Sequence, residues 1–80
     1  MKKLKIPTKL EQPIDHRETG KLVRLHREKA GMSLRELARR MQFSANYVCQ
    51  LEHGDRYWTH EKFDRALNLI NEFTAETKGK

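Results

Sequence analysis

Apolar residues recur through most of this chain at spacings of three and four, the period of an α-helix, and the pattern is interrupted by short polar gaps. In TGKLVRLHREKAG, Leu22, Val23, Leu25 and Ala30 alternate with basic residues, and Gly31 can supply the left-handed residue that ends many helices. This predicts a first helix over roughly Thr19 to Ala30. Next, Leu34, Leu37, Ala38 and Met41 fall at i, i+3, i+4 and i+7, with Arg35, Arg39 and Arg40 outside that face. Val48 and Leu51 give a third segment, about Ala45 to His53, one core-facing side. Phe63, Ala66, Leu67 and Ile70 form the stripe of a fourth, which Phe73 continues to about Glu72 or beyond.

The polar gaps carry the punctuation these helices need. Ser33 and Glu36 have the spacing of a capping box, in which each side chain satisfies the other's backbone amide. Gln42 and Phe43 alone separate the second helix from Ser44, a good cap for the third, and Gly54 stops that helix. Thr59 offers a cap for the last. With no strand-like alternation, repeat or low-complexity block, the expected fold is all-α, a compact bundle of four to five short helices. Residues 1–18 contain both prolines and five Lys or Arg residues, so they read as an extended basic arm, either an unanchored terminus or a contact to DNA. The folded domain is expected over residues 19–73 and a flexible tail over 74–80.

Composition narrows the class. Eighty residues make one small domain, short of the size at which a core is comfortable alone, so a dimer is a natural expectation. A net charge of +6 favours a polyanionic partner, with nucleic acid ahead of a membrane surface because the basic residues do not gather opposite an apolar helix face. A single cysteine excludes an intrachain disulfide and suits a reducing compartment. The basic start MKKLKIPTKL lacks the apolar stretch of a signal peptide, and the expected location is cytoplasmic.

Two short helices joined by so tight a turn cross steeply, the geometry in which the first braces the second against a DNA groove. The residues GKLVRLHR at 20–27, AGMS at 30–33, RELA at 35–38, and Ser44, Tyr47, Val48, Leu51, Glu52 and Gly54 carry a resemblance. Over residues 20–71 the chain resembles the helix-turn-helix domain of the Xre/Cro repressor family, with its lambda-repressor-like fold. Ala38 stands at the family's small position in helix 2, and Val48 and Leu51 at its two anchors of helix 3.

That resemblance implies that helix 3 is the recognition helix and that Ala45, Asn46, Cys49 and Gln50 point toward the major groove. Asn46 and Gln50 can each offer a donor and an acceptor to adenine, a pairing that contributes roughly 1–3 kcal/mol of base discrimination. Ala45 and Cys49 can touch thymine methyl groups. Arg35, Arg39, Ser44, Tyr47 and Arg56 are the phosphate candidates, with Lys29 and Lys62 behind them. The family also pairs an arginine late in helix 1 with a glutamate ending helix 3, which here are Arg27 and Glu52, a structural ion pair.

Three positions depart from the family pattern. Leu34 replaces a phosphate-binding glutamine, Gln42 replaces the turn glycine and must tolerate a left-handed conformation, and His26 stands where the family prefers leucine. His26 is therefore expected to be partly buried with a partner, or the helix rotated to favour Leu25. Cys49, His53 and His60 are ligand types that zinc accepts, but three ligands without a fourth on a helix meant for DNA do not make a metal site. No nucleophile–base–orienter set or phosphate loop appears, so neither an enzyme nor a cofactor is expected.

The resulting expectation is a small transcriptional regulator, a repressor that binds a palindromic double-stranded DNA operator as a homodimer. Tyr57, Trp58, Leu69 and Phe73 are the dimer candidates, since one helical stripe cannot bury them all, the alternative being that they cap the monomer core. Two other functions stay open. One is an antitoxin that neutralises a toxin protein and autoregulates its operon; the other is a restriction–modification controller.

Overall fold

The first helix begins where an aspartate can cap it. In the computed structural model, which describes residues 14–78, α1 spans His16–Lys29. Asp15 accepts from the amides of Arg17 and Glu18, each at 3.1 Å. The helix therefore starts three residues ahead of Thr19, and Ile14 packs against the core, so residues 14–18 belong to the folded unit rather than to an extended arm. The remainder of that arm, residues 1–13, lies outside the described residues. At the other end Gly31 has φ +76°, and the Met32 amide bonds back to the Arg27 carbonyl at 3.0 Å.

The second helix, α2, is Leu34–Met41, and Ser33 accepts from the Glu36 amide at 3.0 Å. The other half of the expected capping box is replaced, because the Glu36 carboxylate turns to the guanidinium groups of Arg39 and Arg40. Gln42 follows with φ 65°, the left-handed conformation that the turn demands, and the Phe43 amide closes it on the Ala38 carbonyl at 2.9 Å. The third helix, α3, is Ala45–Glu52, with Ser44 accepting from the Tyr47 amide at 3.1 Å. Gly54, at φ +83°, ends it.

The fourth helix, α4, runs from His60 to Lys78, opened by Thr59, whose hydroxyl oxygen accepts from the Lys62 amide at 3.0 Å. It continues through residues 74–78, which were expected to be tail. Arg40 reaches from α2 to Glu76 with two bonds of 2.8 and 3.1 Å, and a pair of parallel bonds of this kind gives the last turns a partner.

Val23, Met32, Leu37, Ala38, Met41, Val48, Leu51, Trp58, Ala66 and Ile70 are buried together, so every helix contributes to one core. The α1 face differs from the one that hydrophobicity suggests. Leu22 and Leu25 are 43% and 53% exposed and His26 is also exposed, whereas Gly20, Val23 and Arg27 are buried. A Cβ at position 20 would collide with the carbonyl oxygens of Leu51 and Glu52. Only glycine admits α3 this close, and that approach sets the rotation of α1. On α4, Leu69 packs against the core together with Phe63 and Phe73, taking the place expected for Leu67.

Trp58 is core rather than a dimer contact. It is 3% exposed, its indole N–H donates to the Leu51 carbonyl at 2.9 Å, and its amide donates to His16 Nδ1 at 2.9 Å. A buried indole needs such a partner, and this one ties the loop before α4 to the end of α3.

Candidate nucleic-acid interface

The two sides of α3 are held by different means. On the inner side, Arg27 Nε and Nη2 donate to the two Glu52 carboxylate oxygens at 2.7 and 3.1 Å. A third guanidinium nitrogen, Nη1, donates to the Met32 carbonyl at 2.9 Å. The side chains are 10% and 3% exposed, so this is a bidentate pair in a desolvated setting, joining residues that are distant in sequence. Together with the Gly20 contact it fixes how α3 lies across α1.

On the outer side, Asn46 is exposed, and Ala45, Cys49 and Gln50 are half-buried. Asn46, Cys49 and Gln50, at i, i+3 and i+4, share one side of α3, whereas Ala45 packs against the edge of the core. The fastenings on that side are local. His53 Nδ1 donates to the Cys49 carbonyl at 2.8 Å and lies 3.6 Å from the Cys49 sulfur. Gln50 Oε1 accepts from Arg56 Nε at 2.8 Å. His60 stands exposed at the start of α4, and the described residues include no cluster of three or more His, Cys, Asp or Glu that could hold a metal ion.

Tyr47 forms the rim of the strip. Its ring meets Phe43 edge-on at 4.8 Å, and its hydroxyl oxygen accepts from Lys62 Nζ at 2.9 Å. With that lone pair engaged, the phenolic hydrogen stays free to donate to a phosphate oxygen. Lys62 also donates to the Tyr57 carbonyl at 3.0 Å and sits 5.4 Å from the Tyr47 ring centre, so α4 places a fixed positive charge beside the outer side of α3. From the sequence alone Lys62 ranks low, because its link to Tyr47 crosses from one helix to another. Ser44 uses its oxygen as the α3 cap and retains its hydroxyl hydrogen.

The arginines of α2 separate into two groups. Arg35 is exposed and forms no ion pair with a described residue, and Arg39 is exposed with one guanidinium nitrogen on Glu36. Arg40 turns inward, to Glu76, Glu36 and the Phe73 ring, which lies 5.3 Å from its guanidinium carbon. The bonds from Arg40 and then Arg39 hold the Glu36 carboxyl below its ordinary range. The bonds to Glu76 and then Glu36 raise the Arg40 pKa further above its already high value.

An all-α bundle in which an eight-residue helix, a three-residue turn and a second eight-residue helix present a polar strip is a helix-turn-helix domain. A family model described as a helix-turn-helix domain matches residues 18–72, well over half of the chain, and the chain belongs to that family. No curated protein and no solved structure matches it. Domains of this class bind DNA in regulators, with the second helix of the motif entering the major groove.

Proposed function

We propose that this protein is a sequence-specific transcriptional regulator of the Xre/Cro type, acting as a repressor on a palindromic double-stranded DNA operator. The observation that carries the reading is the contrast between the faces of α3: a buried Arg27–Glu52 clamp on one side and an accessible Asn46, Cys49 and Gln50 strip on the other. Such a helix is held firmly by the domain on one side, while the groups on its other side are engaged only by residues close in sequence. Ala45, Asn46, Cys49 and Gln50 are assigned to base edges, and Arg35, Arg39, Ser44 and Tyr47 to phosphates, with Lys62 beside Tyr47.

As a homodimer the protein would set two α3 helices about 34 Å apart in successive major grooves. With Trp58 in the core, Tyr57, Leu69 and Phe73 remain as dimer candidates, and Tyr57 is the most open of them at 78% exposure.

Selection of bound sites from random duplex DNA tests this. A two-fold symmetric motif is expected, with affinity falling steeply as salt rises. Gln50→Ala should relax base preference at its position, while Arg39→Ala should weaken all sequences alike. Failure to enrich any sequence would overturn the regulator reading, and recovery of a motif without symmetry would overturn the dimer.

A further inference from the structure

One side chain on the outer strip of α3 has its orientation set by a partner of one-sided chemistry. Arg56 Nε donates to Gln50 Oε1 at 2.8 Å from the loop that follows α3. A guanidinium carries five donors and no acceptor, so it can meet the amide only at the oxygen. The Gln50 NH2 group is thereby turned away from Arg56. Arg56 is itself steadied by Tyr47, whose ring centre lies 6.0 Å from its guanidinium carbon. An unheld glutamine amide rotates about a broad terminal torsion and can present either end to a base.

We propose that Arg56 is a specificity-setting residue that acts through Gln50, making Gln50 a hydrogen-bond donor toward the major groove. The matching base is guanine, whose O6 and N7 are both acceptors, ahead of adenine, which needs the glutamine oxygen for its N6 amino group. This rests on the proposed DNA-reading role of α3 and narrows it. A phosphate role for Arg56 is the competing assignment.

The test is base preference at the position read by Gln50. The full chain would be titrated against a selected duplex and against duplexes carrying each alternative base pair there, at two salt concentrations. The native protein should favour guanine. Arg56→Met should lose that preference by about tenfold relative to adenine, the scale of one bidentate contact. In a Gln50→Ala background the same substitution should leave base preference unmoved. Equal weakening on all four base pairs, with a salt slope smaller by about one, would make Arg56 a phosphate contact and overturn the proposal. So would an adenine preference in the native protein. If the native chain discriminates no sequence at any position, the reading of α3 itself falls, a result distinct from sequence-specific binding in which Arg56 and Gln50 are uncoupled.

Discussion

The inner and outer faces of α3 belong to the same eight residues, yet they are governed by different kinds of contact. The inner face is over-determined. Glu52 is gripped by Arg27 from α1, the Leu51 carbonyl accepts from Trp58, and the backbone of both residues lies against Gly20. On the outer face Cys49 is held by His53 and Gln50 by Arg56, near neighbours in sequence, and Lys62 of α4 reaches only the Tyr47 rim. The proposed groove-reading role asks for a helix whose axis is fixed more firmly than its outer side chains, and the division of contacts is of that kind. Damage to the inner face should therefore appear as lost stability, and damage to the outer face as lost discrimination with the fold intact.

The largest effect is expected at the ion pair. Glu52→Ala would leave a buried guanidinium uncompensated and should cost about 3–5 kcal/mol in urea unfolding, whereas replacing both partners together, Arg27→Met with Glu52→Leu, should cost much less. If the single and double variants were equally destabilised, the pair would not be what holds the interior. Gly20→Ala comes next. Its methyl meets backbone carbonyls that cannot swing aside, and a loss of roughly 1–3 kcal/mol, seen as a lower thermal midpoint, is expected.

A smaller effect should follow from pH. Since Arg40 and Arg39 lower the Glu36 pKa on folding, the stability they confer is complete above the unfolded carboxylate range and is lost as pH falls through the folded value. Acid unfolding of Glu36→Gln should accordingly show a shallower loss over that window than the native chain. The smallest change in stability belongs to the outer face. Asn46→Ala, at an exposed position with no structural partner among the described residues, should alter stability by no more than about 0.5 kcal/mol while reducing base discrimination in a binding titration.

Much of this division was legible in the sequence because its signals are local. Ser33, Ser44 and Thr59 cap where their chemistry suits them, and Gln42 takes the left-handed turn despite lacking glycine's freedom. Periodicity points α1 the wrong way because it ranks Leu22 and Leu25 above a glycine, whereas the family resemblance does place Arg27 against Glu52, where the structure has it. Burial of Gly20 depends on what α3 brings to it, and that information is distributed between segments far apart in the chain. The same holds for Trp58, whose partners are Leu51 and His16, and for Glu76, which reaches a helix 36 residues away. Asp15 was a local signal that the prolines before it obscured. The orientation of Gln50 was invisible for a different reason: an amide has two ends, and only the position of Arg56 decides between them.

The most direct test of the account is an NMR titration of the labelled protein with its selected duplex, following side-chain N–H signals on both faces of α3 at once. Large shifts are expected for the amide NH2 groups of Asn46 and Gln50, with the Arg27 guanidinium and Trp58 indole signals nearly stationary. Shifts centred on the exposed Leu22 and Leu25 face of α1, with Asn46 and Gln50 unmoved, would contradict it.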